Sequence, residues 1–352
     1  MEVIFDITKI DSSFFKRPVV TLGTFDGVHL GHQLIIRKVV EKAKKKKKKS
    51  VLVTYEPHPQ WIIDPETAPF VLTTLDEKLL FLEKLGLDLT IVVNFDKNFS
   101  KTSAEEFIKK ILVEKLNVGE LVVGYDHAFG KNRKGRLPLL KKKAKEYRFG
   151  LEVISPIKND DLPIKSTKIR FELKSGDFQK AVKMLGHAYP ILGKKVEGKG
   201  RGYKLGFPTI NLKVPERKLL PKDGVFSAEV KIKEEFYRGM VYYGKSPTFE
   251  YKSKSLEVNI FDFEPEEDVE KVLLSLFDWI RPVIKFDNLD TLKRKLKEDE
   301  KEVKRLLMRS LRSPSDISSR CRQDSSSFAH TKRKNLKGGF FANRETKKTK
   351  AC

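Results

Sequence analysis

The chain has 352 residues, 39% apolar and 34% charged, with a net charge of +24 and only two cysteines. That is enough for about two or three packed domains and too apolar for a wholly disordered protein. No apolar run approaches the ~18 residues of a membrane helix, and no basic-then-apolar leader opens the sequence. Cys321 and Cys352 exclude a disulfide framework or a multi-cysteine zinc site, so a cytoplasmic protein without membrane contact is expected. The positive charge points to phosphate-bearing partners. Lys44 to Lys49 is an unbroken lysine run without interleaved aromatics. It reads as a solvated helix end and loop, and no nucleic-acid partner is expected.

In chain order, Val19 to Leu22 reads as a short apolar strand. Leu30 to Ala43 carries a helical stripe at positions 30, 34, 35, 39, 40 and 43. Val51 to Tyr55, Ile91 to Val93 and Leu121 to Val123 are further strands, and Ser103 or Thr102 caps a helix between the last two. This alternation predicts a Rossmann-like α/β domain with a parallel sheet, and ligands at the carboxyl ends of its strands. After Gly186-His187-Ala188-Tyr189-Pro190 strand-like runs dominate: 224–232, 236–243 and 256–261. They predict a mainly antiparallel β-barrel or sandwich, closed by a terminal helix over 288–308. The expected domains are 1–186 and 187–308. From Arg309 onward twelve basic and three acidic residues, without sustained period, predict a disordered tail over 309–352.

The densest chemistry lies in Leu22-Gly23-Thr24-Phe25-Asp26-Gly27-Val28-His29-Leu30-Gly31-His32. It follows a strand and opens a helix. Gly23 and Gly31 let a backbone approach a polyphosphate, and a helix N-terminus offers free N–H groups. His29 and His32, three apart, share a helix face, which suits charge stabilisation on a phosphate in transfer. Taken alone, the pair also fits a capping or metal-binding role. Ser166 and Thr167 at a helix start, with Arg170 one turn on, suit phosphate equally well. They also fit an ordinary cap with a surface arginine. His58 sits between two prolines after a strand end, where a plain turn residue is the other reading.

His-x-Gly-His after Thr-Phe-Asp-Gly resembles the nucleotidylyltransferase superfamily. More narrowly, it resembles the N-terminal half of bacterial bifunctional riboflavin kinase/FAD synthetases. Glu56-Pro57-His58-Pro59 is similar to that family's Pro-His-Pro turn. Gly124-Tyr125-Asp126-His127-Ala128-Phe129-Gly130 is similar to its Gly-x-Asp-Phe-x-Phe-Gly loop, and Ser166-Thr167-Lys168-Ile169-Arg170 to its Ser-Thr-x-Ile-Arg element. His127-Ala128 stands where the family commonly has Phe-Arg, and Lys165 where it often has Ser. The likeness covers residues 1 to about 308. It implies an adenylylation site using Gly23, Phe25, His29, Gly31, His32, His58, Asp126, Ser166, Thr167 and Arg170, with ATP, FMN and FAD as ligands.

In the second half, Gly239 to Ser246 fits the P-loop expression by letter, but its centre is strand-like and Pro247 follows, so it is a chance match. The better phosphate candidate runs from Gly198 to Asn211. Gly198, Gly200, Gly202 and Lys204 suit wrapping a polyphosphate. Thr209 and Asn211 after Pro208 offer hard oxygens, two residues apart, for Mg²⁺ beside ATP phosphates. A flexible hairpin is the bland reading. The stretch resembles the riboflavin kinase signature Pro-Thr-x-Asn. Glu257, by alternation alone a solvent-facing strand residue, falls in the family pattern Glu-x-x-x-x-Asp-Phe as catalytic base. The resemblance therefore implies a bifunctional enzyme. It phosphorylates riboflavin with ATP and then adenylylates FMN to FAD. Two alternatives stand beside it: a different cytidylyl- or adenylyltransferase, and a non-enzymatic nucleic-acid binder. The sequence says nothing of oligomeric state.

Overall fold

The computed structural model describes residues 1–7, 14–198, 200–245, 254–263 and 269–310. Of the expected tail over 309–352, residues 309 and 310 end the last helix and the rest lies outside these residues, as does Lys199.

The first unit is a parallel sheet. It contains β1 (Glu2–Ile4), β2 (Val19–Leu22), β3 (Ser50–Glu56), β4 (Leu89–Asn94), β5 (Glu120–Gly124) and β6 (Gly150–Ile154), in the order β1-β4-β3-β2-β5-β6. Every pairing is parallel. β2 is buried along its whole length, which is why it reads as an apolar run without alternation. The chain steps outward from β2 through β3 to β4, then returns to place β5 on the other side of β2. The crevice between the ends of β2 and β5 is thus the topological switch point, where open α/β sheets bind ligands.

The connecting helices are α1 (Leu30–Lys46), α2 (Pro59–Ile63), α3 (Leu75–Lys84), α4 (Ala104–Glu106, continued by a π-helical stretch over Phe107–Lys115) and α5 (Leu137–Glu146). Ser103 caps α4 in a capping box with Glu106, as expected. Lys44 to Lys49 is exposed at the end of α1, where three lysines in the last turn complement the helix dipole. One expectation needs correction. The buried face of α1 is Gln33, Ile36, Val39, Val40 and Ala43, while Leu34 is 40% exposed. The helix start is turned by the site it serves: Ile35 lines a cavity and Leu30 packs toward the second unit.

A short hairpin, β7 (Lys158–Asn159) and β8 (Leu162–Pro163), leads into α6 (Ser166–Ser175) and α7 (Phe178–Leu185). The second unit is a closed barrel, β10-β13-β12-β11-β14-β9, antiparallel throughout. Its strands are β9 (Tyr189–Val196), β10 (Ile210–Lys213), β11 (Gly224–Ile232), β12 (Glu235–Lys245), β13 (Lys254–Ile260) and β14 (Lys271–Arg281). A one-turn helix α8 (Arg201–Leu205) joins β9 to β10, and α9 (Leu289–Ser310) closes the barrel. Val303 and Leu307 of α9 pack with Val225, Met240 and Phe261, and Arg281 Nη2 meets the buried Asp299 at 2.7 Å. Gly239 to Lys245 lies inside β12, so the P-loop match carries no P-loop geometry.

α6 and α7 share one hydrophobic cluster with the barrel. Ile169, Leu173, Phe178 and Met184 pack with Tyr189, Phe226 and Val241, and the rings of Phe178 and Phe226 lie 5.2 Å apart. The two units therefore meet through packed side chains.

Candidate active sites

A cavity of ≈ 970 Å³ opens at the switch point. Its wall takes in Gly23, Phe25, Asp26 and His32 after β2, His58 after β3, Gly124, Asp126 and His127 after β5, and Ser166, Thr167 and Arg170 of α6. Tyr55, Phe95, Phe99, Phe107 and Phe129 line one side. The sheet thus gathers the separated motifs of the first half around one space, polar on one side and aromatic on the other.

His29 is the N-cap of α1 and precedes the helix. Its Nδ1 accepts the His32 N–H at 3.4 Å. The two rings stack at 3.6 Å between centroids with 18° between planes. A Cβ at Gly31 would lie 3.3 Å from the His29 ring, so glycine there gives the ring its place. His32 lines the cavity; His29 and Gly31 lie behind it. The expected shared helix face is therefore a cap with a stacked partner. Burial pushes the His29 imidazole down to about 4, Asp26 opposing in part. Burial, with His29 and Lys78 nearby, pushes His32 well below its ordinary value. Both rings are neutral near pH 7. Neutral rings offer N–H groups beside a helix N-terminus but no positive charge.

Asp26, quoted in the motif but given no role by sequence reasoning, organises the site. Its buried carboxylate accepts the N–H groups of Leu72 (3.1 Å) and Thr73 (3.0 Å) and Nη2 of Arg170 (2.5 Å). Ser166 Oγ donates to the Asp26 carbonyl at 3.0 Å, and Arg170 Nε to the Phe70 carbonyl at 2.8 Å. Two of the Arg170 nitrogens are thus engaged by protein oxygens while it lines the cavity. Lys165, the N-cap of α6, makes no side-chain capping bond. The first turn of α6, with Ser166 and Thr167, can therefore turn its N–H groups to an anion.

His58 caps α2, its Nδ1 accepting the Gln60 N–H at 3.3 Å, beyond a cis Glu56–Pro57 bond. Asp126 is exposed at the cavity mouth. His127 stacks near Phe129, 5.6 Å between centroids and 19° between planes. Lys78 escaped sequence reasoning altogether, because nothing in the period of α3 marks a buried lysine. Its Nζ donates to Thr54 Oγ1 at 3.3 Å, and that hydroxyl donates to the Thr24 carbonyl at 3.3 Å. Burial lowers the Lys78 ammonium from its ordinary value, with Asp26 and Glu56 opposing.

The histidines carry a pH prediction. His29, His58, His127 and His187 are each pushed from 6.5 to about 4, burial being the largest cause. The unfolded chain takes up these protons near 6.5 and the folded chain only near 4. Their contribution to stability is complete above pH 6.5 and is lost as pH falls through 4. Each group costs about 1.4 kcal/mol per pH unit across that window. The melting temperature should fall steeply between pH 6.5 and 4; a flat profile would contradict the neutral buried rings.

The second site lies on the outside of the barrel. Alternation along β13 sends Leu256, Val258 and Ile260 into the core, leaving Ser255, Glu257 and Asn259 on the other face. The register of β10 with β13 sets Asn211 opposite Glu257. Ser255 Oγ donates to the Glu257 carboxylate at 2.7 Å. Asn259 Nδ2 donates to the Pro208 carbonyl at 2.8 Å and so anchors the turn into Thr209. Sequence reasoning missed both: Ser255 is an ordinary i, i+2 neighbour of Glu257 on one strand face, and Asn259 reaches Pro208 across 51 positions.

Opposite stands the glycine-rich stretch. The expected wrapping loop is in part α8, bracketed by Gly200 (φ 67°) and Gly206 (φ 79°), with Lys204 on its one turn. A Cβ at Gly198 would lie 2.1 Å from Asn211 Nδ2, and one at Gly202 would lie 2.3 Å from the Phe207 carbonyl and 3.1 Å from Thr209 Oγ1. Glycine is thus required where the stretch crosses Asn211 and Thr209. Among the described residues no His/Cys/Asp/Glu cluster suits an all-protein metal cage. A magnesium ion shared with substrate phosphates needs only one or two protein oxygens. Thr209 and Asn211 fit that demand.

Comparison with known proteins adds to this geometry. The FAD synthetase family model matches residues 11–168 and the riboflavin kinase family model residues 185–307. The bifunctional riboflavin kinase/FMN adenylyltransferase of Listeria monocytogenes is 34% identical over 288 residues, 81% of this chain and 91% of its own. That of Escherichia coli K12 is 33% identical over 301 residues, 85% and 96%. The chain belongs to the bifunctional riboflavin kinase/FMN adenylyltransferase family. A solved structure described as a macrolide-efflux protein from Streptococcus pneumoniae shares the architecture, with a TM-score of 0.75 and 31% identity over 86% of this chain and 98% of its own. No helix among the described residues of this family member is long and apolar enough to cross a membrane. Membership in this enzyme family decides against a different cytidylyl- or adenylyltransferase and against a non-enzymatic protein.

Proposed function

We propose that the chain carries its riboflavin kinase and FMN adenylyltransferase activities at two separate sites, one in each unit, divided as 1–186 and 187–308. The observation that carries this is spatial. The motifs of the first half converge on the β2–β5 crevice, whereas Asn211 and Glu257 pair on the barrel.

At the barrel, Glu257 accepts the proton of the riboflavin 5′-hydroxyl as its oxygen attacks the γ-phosphorus of ATP, giving FMN and ADP. Ser255 orients that carboxylate. Thr209 and Asn211 would hold Mg²⁺, which supplies neutralisation of phosphate charge when bound. Gly198, Gly200, Gly202, Lys204 and Pro208 shape the approach of the polyphosphate.

At the crevice, an FMN phosphate oxygen attacks the α-phosphorus of ATP and pyrophosphate leaves. No enzyme nucleophile is required. The N-termini of α1 and α6, the neutral His32 supported by His29, and Arg170 stabilise the charge. Gly23, Gly31, His58 and Asp126 shape the nucleotide's surroundings. The aromatic wall supplies a surface for the flavin ring. The two cysteines fit a cytoplasmic setting.

The test is the purified chain with riboflavin, ATP and Mg²⁺, the products separated by chromatography. FMN should appear first and FAD after it, and supplied FMN should give FAD and pyrophosphate. Absence of FAD from either start would refute the crevice assignment.

A further inference from the structure

Lys218 lies in the turn after β10, yet its ammonium is fully buried against the first unit. It donates to the Leu72 carbonyl (2.6 Å), the Pro190 carbonyl (2.6 Å) and the Glu77 carboxylate (2.8 Å). All three N–H bonds are thus used. Glu77, equally buried, also accepts the N–H groups of Thr74 (2.8 Å) and Leu192 (2.7 Å). The backbone adds a second link: Val71 N–H donates to the Arg217 carbonyl and Leu219 N–H to the Val71 carbonyl, each at 2.8 Å. The barrel therefore grips the segment Phe70 to Thr74 along one edge.

The same segment faces the crevice along its other edge. Leu72 and Thr73 donate their N–H groups to Asp26, Thr73 Oγ1 accepts the Gly27 N–H at 2.9 Å, and the Phe70 carbonyl accepts from Arg170. One residue, Leu72, is held by its carbonyl from Lys218 and by its amide from Asp26. Asp26 in turn holds Arg170 at the cavity wall.

We propose that Lys218, a residue of the barrel, is a positioning residue for FMN adenylylation in the other unit: by clamping Leu72 it sets Asp26 and, through it, the Arg170 guanidinium. This rests on the crevice being the adenylylation site. A buried ammonium with every proton bonded leaves little slack, and removing it releases one side of a connected network. Among the described residues Lys218 makes no hydrogen bond or ion pair with Thr209, Asn211 or Glu257, so the kinase step offers an internal control.

The full chain is assayed separately for FMN from riboflavin and FAD from FMN. Lys218→Met should slow FAD formation about tenfold and leave FMN formation within about twofold. Because it strands the Glu77 carboxylate, the charge-balanced pair Lys218→Met/Glu77→Gln is run beside it. That pair should fold, keep FMN formation and retain the FAD defect, since the Leu72 carbonyl still lacks its donor. In an Arg170→Ala background, Lys218→Met should add less than about twofold, because its effect runs through that guanidinium. Wild-type FAD formation in the folded pair overturns the proposal, as does equal loss of both steps or a full tenfold loss added to Arg170→Ala. A native chain that makes FMN but no FAD would overturn the site assignment itself.

Discussion

Replacing Glu257 by glutamine is expected to slow FMN formation from riboflavin by about 10²–10⁴, while FAD formation from supplied FMN continues. A base is needed only where a neutral hydroxyl must lose its proton, and riboflavin's 5′-hydroxyl is such a group. The FMN phosphate is already anionic near neutral pH. Glutamine keeps the size of the side chain, and its carbonyl can still accept from Ser255 Oγ, so the 2.7 Å contact that orients the residue survives. What is removed is the proton acceptor opposite Asn211. If Glu257 were only an outward-facing strand residue, the change would alter stability by no more than about 0.5 kcal/mol and leave both rates alone. Equal loss on riboflavin and on FMN would mean a shared site or a folding defect, and the two-site reading would have to be abandoned.

The parts of this molecule legible in the sequence are those whose chemistry is local. Val19 to Leu22 is apolar because both faces of β2 are covered, and Gly23 to His32 runs from the end of that strand through a turn into the start of α1 in one stretch. The antiparallel texture of β11, β12 and β13 was equally plain. β14 was not read as a strand, since Lys271, Ser275 and Asp278 interrupt its apolar run; its pairing with β9 and β11 decides its state. β1 is three residues long and is recruited by β4 alone. The α1 face was misjudged because a site at the start of the helix overrides its period.

Within the sites, the same division holds. The histidine pair and the Thr-x-Asn pair announce themselves by spacing. Asp26 reaches Leu72 across 46 positions and Arg170 across 144, and Asn211 meets Glu257 only through strand register. No window along the chain contains both members of such a pair. Lys78 and Lys218 look like two of many lysines in a chain with net charge +24, and only the fold distinguishes them as buried.

Replacing His29 and His32 together by alanine should reduce FAD formation from FMN by about 10²–10³, the usual effect of losing a preorganised donor, with FMN formation unchanged. The geometry also divides the loss between them. His32 lines the cavity, so His32→Ala alone should carry most of it. His29 acts from behind, by accepting the His32 N–H and by stacking on its ring. Asparagine is a good N-cap, so His29→Asn restores the first function but not the second. If His29 serves only as a cap, His29→Asn should match the native enzyme. If the stacked ring matters, FAD formation should remain depressed although the melting temperature recovers. Because burial keeps both rings neutral, neither residue should impose a rate change between pH 6 and 8. A histidine-dependent inflection in that range would show that the imidazoles work as cations, and unchanged FAD formation in a folded double variant would remove them from the reaction altogether.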